Sequence, residues 1–221
     1  MDDRIERLAR TPIFADASPP LLAGIAAASA ARHLVRGDVL FNEGDPPDAL
    51  YLVTKGRIAI VMSNSIDRRE SVVALMEPGD LFGEISLLDD GPRSATARAL
   101  EPSDLIEVPF APVRELLDEN PRLLWNLTRL LATRLRVMDE VLADSVFLDV
   151  TGRTAKRLLE LANGNDDYKR PVTQEELAGM VGASRERVNK AIASFISLGW
   201  LEQHDRNYRI VQRDRLELRA R

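Results

Sequence analysis

The feature of this 221-residue sequence that most limits its fold is the rhythm of glycine turns between residues 34 and 110. Short apolar runs occur at Val39-Leu40-Phe41, Leu50-Tyr51-Leu52-Val53, Ile58-Ala59-Ile60-Val61, Val72-Val73-Ala74-Leu75 and Leu105-Ile106-Glu107-Val108. Between them stand Arg36-Gly37-Asp38, Glu43-Gly44-Asp45, Lys55-Gly56-Arg57 and Pro78-Gly79-Asp80. Runs this short, turned back every dozen or so positions, predict a small β-barrel or jelly roll.

Helical texture flanks this region. Ile5, Leu8 and Ala9 keep helical spacing, and Leu21, Leu22, Ile25 and Ala26 follow a Pro19-Pro20 start. From Ala111 to Phe147, apolar residues recur at Leu124, Leu127, Leu131, Leu135, Met138, Val141, Leu142 and Val146, close to a heptad seam. Read as one helix, with Pro121 a candidate break near its start, the stretch would run roughly 55 Å. That outgrows a small barrel, so the seam predicts contact with a second copy of the chain.

Composition enters by exclusion. There are no cysteines and two histidines, His33 and His204, far apart in sequence. Disulfides, zinc-cysteine sites and iron-sulfur clusters are therefore excluded, and no metal or haem is expected. No apolar run nears the roughly 18 residues of a membrane span, and Met1–Arg10 lacks a signal-peptide core, so a cytoplasmic protein with no membrane partner is expected. The net charge of −5 hides an asymmetry: from Asp149 onward there are 14 Lys and Arg against 11 Asp and Glu, and before it 16 against 24. The basic end is the C-terminal end.

That end carries a helix-turn-helix pattern. Thr173-Gln174-Glu175-Glu176 has capping-box spacing, Leu177, Ala178 and Val181 form an apolar face, and Gly182 allows a tight turn. Ser184 caps a second helix with apolar positions Val188, Ile192 and Phe195. Residues at the start of such a helix meet base edges: Arg185 can donate twice to guanine, Glu186 can accept from cytosine N4, and Lys190 lies one turn beyond on the same face. The bland alternative is a solvated face with an internal Glu186–Lys190 pair. Trp200 to Val211 reads as a β-hairpin wing with His204 and Arg206 at its tip, either phosphate contacts or a solvated loop. The candidate DNA-binding set is Thr173, Gln174, Ser184, Arg185, Glu186, Asn189, Lys190, His204 and Arg206.

A second constellation lies in the β-region: Phe82-Gly83-Glu84-Ile85-Ser86, then Pro92-Arg93-Ser94-Ala95. Glycine admits a ligand close to the backbone, a glutamate can accept a ribose hydroxyl, and arginine with serine can hold a phosphate. From the residues alone, Glu84 and Arg93 could equally pair with each other. Nothing resembles a nucleophile–base pair or metal cluster, so the chain does not read as an enzyme. A β-domain controlling an enzyme or channel is disfavoured by the helix-turn-helix.

Over about residues 10–215 the chain resembles the CRP/Fnr superfamily, and within it the cyclic AMP receptor protein branch. The resemblance rests on Phe82-Gly83-Glu84 with Arg93-Ser94-Ala95, on Phe147-Leu148-Asp149-Val150-Thr151-Gly152-Arg153, and on Val181-Gly182-Ala183-Ser184-Arg185-Glu186. It implies an α+β chain: an effector-sensing cyclic-nucleotide-binding jelly roll with N-terminal helices over 1–110, a long dimerisation helix over 111–147, a hinge at 148–152 and a winged helix-turn-helix over 153–221. It also implies a bacterial homodimeric regulator of transcription, gated by a cyclic nucleotide, with double-stranded DNA and RNA polymerase as partners.

By the same resemblance, Gly83 and Glu84 hold the ribose, Arg93 and Ser94 the cyclic phosphate, and Val73 and Ile85 line the wall. The family's two polar purine contacts fall here on Met138 and Asp139. Met138 cannot donate to a base, and an ionised Asp139 only accepts. Cyclic AMP is the implied effector, with cyclic GMP, another effector or none left open. The implied target is a palindrome with TGTGA-like or GTG half-sites, and Lys190 replaces the family's second arginine, losing its planar fork.

Overall fold

The computed structural model describes residues 3–63, 70–169, 172–204 and 207–221. The chain forms two compact units: Met1–Arg68 with Val73–Arg136, and Arg69–Val72 with Val137–Arg221. The division falls inside the helix Arg122–Phe147 and inside the strand Glu70–Met76.

The first unit opens with α1 (Asp3–Ala9), a 3-10 turn at Pro12–Phe14 and α2 (Pro19–Ala28). The β-region supplies β1 (Ala30–Leu34), β2 (Val39–Phe41), β3 (Ala49–Lys55), β4 (Ile58–Ser63), β5 (Glu70–Met76) and β6 (Leu81–Phe82). After the short α3 (Ile85–Asp89) come β7 (Thr96–Ala99) and β8 (Ser103–Pro109). They pair into two four-stranded sheets, ordered β1-β8-β3-β6 and β2-β7-β4-β5. This is the expected double-sheet roll. Antiparallel register sets Leu52 opposite Ile106, Tyr51 opposite Phe82 and Ile60 opposite Ala97.

Strand β3 shows why Leu50-Tyr51-Leu52-Val53 is continuously apolar. It is buried on both faces. Leu50 and Leu52 join Phe14, Ile25, Val113 and Leu127 in a core beneath the helices. Ala49, Tyr51 and Val53 join Ile58, Phe82 and Ala97 in a core of their own between β-strands. Period-2 alternation therefore serves two cores at once.

The stretch expected as one helix over 111–147 is two, α4 (Phe110–Glu119) and α5 (Arg122–Phe147). Pro121 breaks it: Asn120 before the proline sits at φ −130°, ψ 73°, outside the helical region that the proline ring disfavours. The continuous helix is thus 26 residues, roughly 39 Å. Its seam divides: Leu123 and Leu127 pack into the first unit's own core, whereas Leu135, Met138, Leu142 and Val146 are exposed.

The second unit continues with α6 (Val150–Ala162), β9 (Asp167–Lys169), α7 (Gln174–Val181), α8 (Arg185–Ser197), β10 (Leu201–His204), β11 (Asn207–Ile210) and α9 (Arg213–Arg219). The segment 148–152 expected as a hinge is shorter as a helix break, because Thr151 and Gly152 already lie in α6. The wing is a three-stranded sheet, β10-β11-β9, whose third strand precedes the helix-turn-helix in the chain. The closing helix α9 was not anticipated from the sequence. No described helix is long and apolar enough to cross a membrane.

Candidate effector pocket and nucleic-acid interface

Strand β6 delivers the chain to Gly83, whose φ of +87° favours glycine. A Cβ there would stand 2.8 Å from Arg93 Nη1 and 3.3 Å from the Ala49 carbonyl. Glu84 follows at the start of α3 and is only 1% exposed. The Ser86 hydroxyl donates to the Pro92 carbonyl at 3.0 Å, closing the loop that returns to Arg93.

Arg93 is 3% exposed. Its backbone is bonded in both directions to the turn at Gly44 and Asp45. Its guanidinium donates to the Ala49 carbonyl at 2.8 Å and the Gly83 carbonyl at 3.3 Å, and lies 4.3 Å from the Phe41 ring centre. The closest carboxylate, Asp48, is 3.6 Å away with its side chain 80% exposed. The buried Nε has no hydrogen-bond partner among the described residues. Burial lowers Arg93 below its ordinary pKa, opposed by Tyr51 and Asp48, yet a guanidinium stays charged in a protein.

Glu84 and Arg93 do not pair with each other. Glu84 accepts from Arg134 of α5, which also donates to the Leu81 carbonyl. Sequence reasoning missed Arg134. The signal that points to it is a cation on the helical seam one turn before Met138.

The remaining pocket candidates are more open. Ser94 is exposed, and Val73 and Ile85 are each 46% exposed. Met138 and Asp139 lie on the exposed stretch of α5 beyond Arg136, within the second unit, whereas Gly83, Glu84, Arg93 and Arg134 belong to the first.

In the second unit the capping box forms as expected. The Thr173 hydroxyl accepts from the Glu176 amide at 3.1 Å, and the Glu176 carboxylate accepts from the Thr173 amide at 2.6 Å. Gly182 ends α7 at φ +66°. Ser184 then caps α8, accepting from the Arg187 amide at 3.4 Å. Val188, Ala191, Ile192 and Phe195 turn inward, and Phe195 stacks on Trp200 with ring centres 5.8 Å apart.

Arg185, Glu186 and Lys190 are all exposed. The internal Glu186–Lys190 pair of a merely solvated helix is absent among the described residues. Asn189 is half-buried, and its sealed Oδ1 has no hydrogen-bond partner among the described residues. Gln174 donates to the Tyr208 hydroxyl at 3.2 Å, tying α7 to the wing. Thr173 is engaged in the cap. His204 is exposed on β10, 3.9 Å from Glu202, and Arg206 lies outside the described residues. The donors and acceptors at the start of α8 are thus free to meet an outside partner.

Residues 31–120 match the cyclic nucleotide-binding domain, and residues 152–219 match the Crp-like helix-turn-helix domain. The chain is 37% identical to the CRP-like cAMP-activated global transcriptional regulator of Mycobacterium tuberculosis, over 98% of this chain and 99% of that one. It is 33% identical to the cAMP-activated global transcriptional regulator CRP of Escherichia coli, over 69% of this chain and 76% of that one. Among solved structures it resembles FixK2 from Bradyrhizobium japonicum in fold, with TM-score 0.78 at 20% identity, covering 87% of this chain and 98% of FixK2.

Proposed function

This chain belongs to the CRP/Fnr family of transcription regulators, and on that premise we propose that it is a homodimer gated by cyclic AMP and directed to a palindromic DNA site. Its two matched domains are a cyclic nucleotide-binding domain and a Crp-like helix-turn-helix domain, and the family is one of transcription regulators, not of enzymes. The finer reading is ours.

One observation carries the effector assignment: Arg93. A cation buried to this degree, whose ion-pair partner Asp48 at 3.6 Å is itself largely in solvent, is left with part of its charge to be met by a further anion. A cyclic phosphate supplies that anion, with charge-assisted bonds from Arg93 and the Ser94 hydroxyl. Gly83 leaves the backbone open to the sugar, and Glu84 accepts a ribose hydroxyl, sharing its carboxylate with Arg134. Val73 and Ile85 give apolar walls. Met138 and Asp139 stand at the family's purine-contact positions, where Asp139 accepts one bond from adenine N6.

The exposed apolar residues of α5 from Leu135 to Val146 support the dimer, since such a stripe seeks a partner. Two copies of α8 then read half-sites about one DNA turn apart. Arg185 takes guanine and Glu186 takes cytosine in a TGTGA-like half-site, while Lys190 adds a point charge. We assign phosphate contacts to Thr173, Gln174, His204 and Arg206, the last outside the described residues, and RNA polymerase is the further partner. Gating requires that the nucleotide prefer the DNA-competent state.

A second reading is favoured by Met138 and Asp139: a regulator active without ligand, or one answering cyclic GMP, whose N1 and N2 donors suit an acceptor-only Asp139. Calorimetric titration with cyclic AMP and cyclic GMP, paired with DNA-binding titrations in the presence and absence of each, tests both readings. Heat from cyclic AMP together with tighter DNA binding supports the first. No heat, with tight sequence-specific binding by the nucleotide-free chain, overturns it.

A further inference from the structure

The break between α5 and α6 contains only Leu148 and Asp149. Three basic side chains close on it. Lys156 of α6 pairs with Asp144 near the end of α5 at 2.7 Å, and both are largely buried. Arg153 donates to the Leu148 carbonyl at 2.7 Å and to the carbonyl of Val181, the last residue of α7, at 2.8 Å. Arg219, the last residue of α9, donates to both carboxylate oxygens of Asp149.

The Asp149 contact is the informative one. Asp149 is the N-cap of α6, accepting from the Gly152 amide at 2.8 Å. One carboxylate thus starts α6 and holds the end of α9. The neighbouring position is cleared for it: a Cβ on Gly152 would lie 3.0 Å from both Arg219 Nη1 and the Arg219 carbonyl. Helix α9 is itself anchored, with Leu216 fully buried and Arg213 bonded to Asp166 at 2.9 Å.

We propose that α9 is a clasp on the α5–α6 junction, in which Arg219 holds the capping residue Asp149 and so sets how freely α6, and the DNA-reading α8 packed on it, can turn against the end of α5. The consequence for DNA binding rests on the proposed reading of the chain as an effector-gated regulator; the clasp itself does not. Opening it frees the first turn of α6, whose amides have no partner within the helix.

The test uses the full chain with two substitutions, Arg219→Gln and Asp149→Asn. Asparagine caps a helix about as well as aspartate, so Asp149→Asn removes the ion pair and keeps the cap. Amide hydrogen exchange over residues 148–152 is expected to quicken about five-fold in each, with α8 unchanged, as loss of a partly exposed pair allows. Affinity for a palindromic duplex, read by fluorescence anisotropy without and with cyclic AMP, is expected to shift about three-fold or more in at least one arm. Unchanged exchange in both variants overturns the clasp, and so do smaller shifts in both arms. If the unsubstituted chain ignores cyclic AMP, the effector reading fails, and the clasp is judged on exchange and on the nucleotide-free arm. Should Arg219→Gln lose its cooperative melt, Asp149→Asn carries the test alone.

Discussion

The proposed pocket and the proposed DNA reader treat their charges in opposite ways. In the pocket, Glu84 and Arg93 are buried, and protein atoms already engage both: Arg134 on one, the Ala49 and Gly83 carbonyls on the other. At the start of α8, Arg185, Glu186 and Lys190 stand in solvent without internal partners among the described residues. A surface with free donors can meet DNA without rearranging itself. A pocket with engaged donors must share or exchange partners when ligand arrives. Such an exchange alters contacts with α5, because Arg134 belongs to it. Under the proposed gating, the region suited to couple binding to conformation is therefore the one whose charges are already in use.

Substitutions can break or sharpen this contrast. The largest effect is expected at Arg93. Arg93→Leu keeps bulk but removes the buried cation, so cyclic nucleotide affinity should fall by about 2–5 kcal/mol. Calorimetry measures this, and near-normal affinity would mean that the phosphate is held elsewhere. Next is Arg134→Ala, which strands the Glu84 carboxylate. The cost should be about 2–3 kcal/mol of stability, below the full value for a buried pair because Arg134 is partly exposed. Thermal or urea unfolding reads it, and an unaltered midpoint would erase the contrast drawn above.

Arg185→Ala belongs to the other regime. It should leave the unfolding midpoint within about 0.5 kcal/mol, since the side chain is exposed. Specific DNA affinity should drop by about 1–3 kcal/mol and discrimination should relax at one base pair, as anisotropy with a panel of single-base variants would reveal. If binding to all duplexes weakens equally, Arg185 contacts phosphate instead of a base.

The smallest effect concerns Asp149. Asp149→Ala should cost about 1 kcal/mol through loss of the cap. The carboxyl is held below its ordinary range, first by the Gly152 amide and then by Arg219. A depressed folded pKa stabilises the chain above the unfolded value of about 3.9 and loses that contribution as pH falls through the folded one. Melting of the unsubstituted chain should therefore decline more steeply below about pH 4 than that of Asp149→Asn. Parallel curves would show that the depression is absent in solution.

Features that depend on neighbours along the chain are legible in the sequence. The Thr173–Glu176 capping box, the Gly182 turn, the Ser184 cap and the inward face of α8 depend on contacts three or four residues apart, and helix geometry brings those together. The β-runs were legible because glycine turns bound them. The break at Asn120–Pro121 was visible only as a candidate, because proline permits either a stop or a kink. Strand β9 and helix α9 were missed. A three-residue strand has too little periodicity to see, and Leu216 alone marks the buried side of α9.

The sequence by itself determined that the chain has a turn-punctuated β-region, a helical seam and a capped helix-turn-helix with Arg185, Glu186 and Lys190 on its outer face. Each follows from local periodicity and the φ preferences of glycine and proline. Only the tertiary structure decided what Glu84 and Arg93 hold in the folded chain. It gave Glu84 to Arg134, fifty residues away, set Arg93 over Phe41, and brought Arg219 to the cap of a helix seventy residues earlier. Such partners are chosen by where two separate segments pack, and no spacing along the chain records that choice.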